Sequence, residues 1–163
     1  MLLDRLHTVA FTGHRSYRGE AEERLIASLR RLAEWGYTTF LSGMAEGFDL
    51  AAAEAVLKLR REGIAVRLVA VVPFRGQSRG FTMENRARYR AVLAEADEVI
   101  TLSERFFRGC YQVRNDYLVD HAAYLLAWYD GSRGGTQQTF LGALHRGLEV
   151  ENLSTIQPDP KLF

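Results

Sequence analysis

The chain has 163 residues, 47% hydrophobic and 25% charged, with a formal net charge of +1. That length suits one domain with a sizeable core (residues 1–163 as a single unit) and is too short for two ordinary ones, and the near-neutral balance argues against a dedicated nucleic-acid binder. Cys110, the only cysteine, excludes an intrachain disulfide and suits a reducing cytoplasm; no run approaches the roughly 20 apolar residues of a membrane span, and residues 1–9 lack the core of a signal peptide.

Taken in chain order, residues 9–11 form a short apolar run ending at Gly13, the first expected strand. Residues 20–35 place Leu25, Leu29 and Leu32 at helical spacing, and Gly36 fits the position just past a helix end. Residues 37–41 are rich in β-branched and aromatic side chains, a second strand. Residues 48–59 put Phe48, Ala52, Ala55 and Leu59 on one helical face. Residues 64–72 are almost continuously aliphatic, as in a parallel strand buried on both faces. A helix is predicted over 82–94 and a strand over 98–102. A helix over 111–121 follows, with Val113, Tyr117 and Leu118 inward, then a strand over 124–129. The last elements are a helix over 137–146, with Phe140, Ala143 and Leu144 inward, and a strand over 153–156. Residues 157–163 read as a loose tail.

This alternation predicts an α/β fold: a single doubly wound, mostly parallel sheet with helices on both faces, Rossmann-like in architecture. Ligands of such sheets sit beyond the carboxyl ends of the strands, where the strand order reverses. Three glycine-rich loops are expected at that rim. The first is Gly13-His14-Arg15, where arginine offers a fork of donors to phosphate. The second runs from Ser42 and Gly43 through Glu46 and Gly47 to Asp49, at a strand-to-helix turn suited to an anion. Asp49 is either a helix cap or a ribose ligand. The third comprises Asp130, Gly134, Gly135 and Thr136, with Arg133 beside them. Arg75 ends the third strand and can reach toward the same rim. Arg114, Asn115 and Asp120 read either as an ordinary polar helix face or as a polar cluster near the crevice. Two long irregular stretches, 74–81 and 103–109, are candidate lids, and the aromatic run 103–111 is equally a candidate surface for a homo-oligomer.

The exclusions are specific. G-x-G-x-x-G, the P-loop and the G-x-S-x-G elbow are absent, so the chain calls for no nicotinamide cofactor, P-loop nucleotide or esterase chemistry. His7, His14, His121 and His145 show no metal-ligand spacing. Ser42 has no evident base partner. No catalytic residue, cofactor or metal is assigned. The arginines at 75, 79, 86, 88, 90, 105 and 108, interleaved with Phe74, Phe81, Phe106 and Phe107, are the alternative signal, for single-stranded nucleic acid. Their bland counterpart is pairing with Glu84, Glu95 and Glu104.

Several of these segments resemble one superfamily. Ser42-Gly43-x-Ala45-x-Gly47-Phe48-Asp49-x-x-Ala52 is similar to the S-G-x-A-x-G-[IF]-D-x-x-A segment of DprA, the bacterial DNA-processing protein. Thr12-Gly13-His14-Arg15, Val72-Pro73-Phe74, Arg114-Asn115 with Val119-Asp120, and Tyr129-Asp130-Gly131-x-x-Gly134-Gly135-Thr136 resemble the short YpsA-type proteins. Both groups belong to the SLOG superfamily of Rossmann-like domains, with the lonely-guy phosphoribohydrolases. The resemblance implies binding or sensing of a nucleotide-derived ligand such as ADP-ribose, with Gly47 and Asp49 in the site. It brings two alternatives, nucleotide N-glycosidase activity and single-stranded DNA binding. The phosphoribohydrolases carry P-G-G-x-G-T-x-x-E; here Ser132 and Arg133 stand at the paired glycines and Thr139 at the catalytic glutamate.

Overall fold

The structure, a computed structural model, describes residues 4–156. The tail expected over 157–163 lies outside them, as do the first residues of the N-terminal run. Among the described residues six strands form one sheet in the order β4-β3-β2-β1-β5-β6. They are β1 (Thr8–Gly13), β2 (Thr39–Ser42), β3 (Arg67–Val72), β4 (Glu98–Thr101), β5 (Tyr124–Trp128) and β6 (Glu149–Asn152). Every neighbouring pair is parallel. The helices are α1 (Glu22–Glu34), α2 (Phe48–Arg61), α3 (Met83–Glu95), α4 (Cys110–Asp120) and α5 (Gly135–His145).

The alternation of side chains along a strand divides the core in two. Val9, Phe11, Phe40, Leu68, Ala70 and Leu126 face α1, α2 and α3. Ala10, Leu41, Val69, Val71, Leu125 and Ala127 face α4 and α5. Central strands are therefore apolar on both faces, which is why β3 and β5 read as continuous hydrophobic runs.

Three expectations need correction. The last strand is Glu149–Asn152, not 153–156. It is an edge strand bonded only to β5, so it needs no two-sided apolar run. Leu153, which suggested the later placement, is a core contact just past the strand end. Val113 is 47% exposed and Leu144 is 42% exposed, so neither points inward. In α4 the inward positions are Cys110, Arg114, Leu118 and Val119; a buried arginine takes the slot that an apolar residue was expected to fill. No helix of the described residues is long and apolar enough to cross a membrane.

Candidate functional site

Strand order fixes where the site lies. From β1 the chain steps outward through β2, β3 and β4, then returns to the other side of β1 for β5 and β6. Loops leaving β1 and β5 therefore part company, and a crevice opens between them. A cleft of about 380 Å³ occupies that place. Thr12 to Arg15 supply one wall, Arg133 to Thr136 another, Ala45 and Asp49 a third, and Tyr111, Arg114 and Asn115 of α4 the last. Among the described residues no cluster of three or more His, Cys, Asp or Glu side chains is arranged to hold a metal ion.

One end of the cleft is suited to an anion. Helix α5 starts there, and its N-cap Gly134 (φ 144°) supplies no capping side chain. First-turn amides of a helix have no intrahelical acceptor and carry the positive end of the dipole. Asn115 faces this end: its Oδ1 accepts from Arg114 Nε at 2.8 Å, and its Nδ2 would lie 3.6 Å from a Cβ built on Gly135. Arg15, Arg114 and Arg133 line the same cleft, and none makes an ion pair among the described residues.

The floor holds two buried groups of opposite charge, Arg114 and Asp49, which attract each other without an ion-pair contact. Arg114, only 5% exposed, donates through Nη1 to the Gly43 carbonyl. A side chain on Gly43 would collide with the Arg114 stem, so the glycine makes room for the arginine. The same carbonyl accepts from Gln77 Nε2 at 3.0 Å. Ser42 Oγ donates to the Asp49 carbonyl at 2.9 Å and accepts from Met44 N at 3.2 Å, fixing the turn into α2. Met44 is buried with φ 63°, the only non-glycine residue at positive φ among those described. Strained positions of this kind persist where surrounding contacts over-determine them. Burial pushes the Asp49 carboxyl up to about 6, while Arg114, the Ala45 amide and Arg15 pull the other way. Burial likewise lowers Arg114, against the attraction of Asp49.

Behind the first loop, His14 is held by Asp130, with Nε2 2.8 Å from Oδ1. Asp130 Oδ1 also accepts from Ser132 N at 2.9 Å and Ser132 Oγ at 2.6 Å. Those Ser132 bonds come first in lowering the Asp130 carboxyl. Asp130 is thus a positioning residue for His14.

The predicted site residues separate into groups. Gly13, His14, Arg15, Asp49, Gly134, Gly135 and Thr136 converge on the cleft. Ser42 and Gly43 support it from beneath. Gly47 (φ 85°) does not line it; a Cβ there would meet the His14 carbonyl oxygen at 2.5 Å, so this glycine lets two loops touch. Glu46 is turned away, accepting from Asn85 Nδ2 at 2.7 Å and Thr82 N at 3.3 Å at the start of α3. Arg75 is exposed and held in a two-pronged pair by Glu104, at 2.7 and 3.0 Å. The two irregular stretches add no residue to the cleft lining; Gln77 is buried and also accepts from Tyr89 Oη at 3.0 Å. Arg114 and Asn115, which the sequence left open between a polar helix face and a cluster at the crevice, line the cleft. Their signal was the break they make in the apolar phase of α4.

A larger depression of about 630 Å³ crosses α2 between α1 and α3. Two of its polar side chains are already engaged, Arg88 with Glu54 and Asn85 with Glu46. It lies away from the switch point, and the smaller cleft is the better candidate.

A protein-family model described as the YspA SLOG family (YpsA) matches residues 20–159. The UPF0398 protein YpsA of Bacillus subtilis is 32% identical over 132 residues, covering 80% of this chain and 71% of that protein. The SPbeta prophage-derived protein YoqJ of the same organism is 30% identical over 122 residues, covering 63% and 71%. Among solved structures, DNA processing protein A (DprA) of Streptococcus pneumoniae matches with a TM-score of 0.65 at 18% identity. The match covers 89% of this chain and 49% of that one, so this chain spans about half its length. The DprA of Helicobacter pylori, whose structure concerns single-stranded DNA binding, matches with a TM-score of 0.67 at 18% identity, covering 89% and 64%. At such identity the likeness is one of fold.

Proposed function

The chain belongs to the YspA SLOG family, and from that premise we propose that it is a cytoplasmic, single-domain binder of a nucleotide or nucleotide-derived anion such as ADP-ribose. The observation that carries this reading is that three guanidiniums without an ion pair, Arg15, Arg114 and Arg133, line the cleft in which α5 starts uncapped. Phosphate oxygens would accept from the first-turn amides of α5 and from Arg15. Asp49 would accept from ribose hydroxyls: its Oδ2 takes the Ala45 amide at 3.4 Å, and its other oxygen has no protein donor among the described residues.

Binding fits better than turnover. Thr139, where a phosphoribohydrolase carries glutamate, is buried, and its Oγ1 donates to the Gly135 carbonyl at 3.0 Å inside α5. Glu46 is committed to α3, which leaves Asp49 as the one carboxylate in the cleft.

A ligand that binds only the native state raises its stability by RT ln(1 + [L]/Kd). Thermal melts with a panel of nucleotides, ADP-ribose included, should show a rise in Tm at millimolar ligand. Arg15→Ala should abolish that rise while leaving the apo Tm nearly unchanged. A flat response across the whole panel would overturn the reading.

A further inference from the structure

The aromatic wall of the cleft is used by neither the phosphate contacts nor the ribose contact. Tyr111, in the first turn of α4, lines the cleft and is 37% exposed. Its ring meets Phe74 at 5.9 Å and 74°, and Phe106 at 6.2 Å and 61°. Those two rings meet each other at 5.4 Å. Arg114 places its guanidinium carbon 5.7 Å over the same tyrosine. Phe74 follows β3 and Phe106 follows β4, and the two segments are clasped by the Arg75–Glu104 pair and by Arg75 N donating to the Ser103 carbonyl at 3.0 Å. Tyr111 is therefore braced from two loops that are themselves tied together. A braced aromatic ring loses little conformational entropy when a flat ligand stacks on it, and stacking is indifferent to the base because every base has a π-face.

Topology sets the order of groups across the rim. In sheet order the aromatic braces follow β4 and β3, Asp49 follows β2, Arg15 follows β1, and the start of α5 follows β5. Aromatic wall, carboxylate and anion cradle thus succeed one another in the order base, ribose, phosphate. We infer that Tyr111, braced by Phe74 and Phe106, is a stacking wall for a heteroaromatic base, so that the cleft takes a nucleoside phosphate in preference to a sugar phosphate or an inorganic anion. This inference rests on the nucleotide-binding reading above and adds the side chain that receives the base.

The test compares the four nucleoside 5′-monophosphates with ribose 5-phosphate by titration calorimetry on the full chain. At least one nucleotide should bind tenfold or more tightly than ribose 5-phosphate, with its base protons shifted upfield in the bound state. Tyr111→Ala should erase that preference, and Tyr111→Phe should keep it. Ribose 5-phosphate binding as tightly as every nucleotide would overturn the stacking wall and leave the anion cleft standing. Binding of neither class would overturn both. Should Tyr111→Ala lose ribose 5-phosphate as well, the base-proton shift in the intact chain decides, and its absence overturns the inference.

Discussion

Asp49 sets stability against function. Its carboxyl rises from 3.8 to about 6 because burial disfavours the charge, an effect only partly offset by Arg114, the Ala45 amide and Arg15. The native state holds this proton more tightly than the unfolded chain does. Both states are protonated well below pH 3.8 and both are ionised well above pH 6. As pH rises through that window the fold loses up to about 3 kcal/mol. Asp49→Asn removes the ionisation, so the apo variant should be more stable than the parent at pH 7.5 and similar near pH 4. Urea melts across that range check it, and a variant less stable at pH 7.5 contradicts the account. The same variant should bind nucleotide more weakly, since an amide is a poorer acceptor for ribose hydroxyls. The glycines separate in a similar way. A Cβ on Gly13 would overlap the Phe48 side chain, whereas one on Gly135 meets only Asn115 Nδ2 at 3.6 Å. Gly13→Ala should cost about 1–3 kcal/mol through overpacking, and Gly135→Ala should stay within about 0.5 kcal/mol of the parent; chemical denaturation distinguishes them. Glycine content pointed to a ligand at both places. At Gly13 the tight requirement is the approach of α2 to β1.

At the scale of elements, β6 shows how side chains secure a strand with a polar sequence. Glu151 accepts from Ser28 Oγ at 2.6 Å, from Tyr124 Oη at 2.6 Å and from Arg31. Asn152 bonds Tyr129 twice, Oδ1 accepting from its N at 3.0 Å and Nδ2 donating to its carbonyl at 2.8 Å. Burial alone would raise the Glu151 carboxyl, but the donors from Ser28, Tyr124 and Arg31 outweigh it and hold it below its ordinary value. Its stabilising contribution is present above the unfolded pKa and is lost as pH falls through the folded one, the reverse of Asp49. Glu151→Gln should cost about 1–2 kcal/mol at pH 7 and flatten the acid limb of the stability profile; a limb unchanged by the substitution sinks this account. The sequence conceals such a strand because hydrogen bonds, and not apolar periodicity, hold its place. Elsewhere the order of elements was legible, since α1 and α2 bury the leucines and alanines expected of them and the central strands carry unbroken aliphatic runs. Helix α4 was blurred by Arg114, whose buried guanidinium sits where an apolar residue would mark the phase. The residue that spoils the pattern is also the one that floors the cleft, as expected where function overrides local consistency.

At the scale of the whole molecule the question is what kind of anion this surface suits, a small ligand or a polynucleotide. Single-strand binders combine a continuous basic groove with rings left open for successive bases. Three of the seven arginines that suggested such a groove are committed. Arg75 pairs with Glu104 and Arg88 with Glu54, and Arg86 donates to the carbonyls of Ser78, Arg79 and Phe81. Phe81 packs edge-on against Tyr89 at 5.5 Å, and Phe74 is held between Phe106 and Tyr111. With a formal net charge of +1, the chain as a whole adds no long-range attraction for a strand. Three guanidiniums without an ion pair, Arg15, Arg114 and Arg133, line a cleft of about 380 Å³, sized for one small molecule. An unstructured 20-nucleotide single strand should therefore bind no better than about 10⁻⁴ M at physiological salt, the weak end of the range of non-specific contacts. Fluorescence anisotropy between 50 and 200 mM salt measures this. A micromolar complex persisting at the upper salt, with the steep slope that marks release of many counterions, would mean that the committed arginines exchange their carboxylates for phosphates. In that event the strand-binding reading would replace the small-ligand one. Weak, shallow binding alongside a nucleotide-dependent rise in Tm would place the recognition in the cleft between β1 and β5.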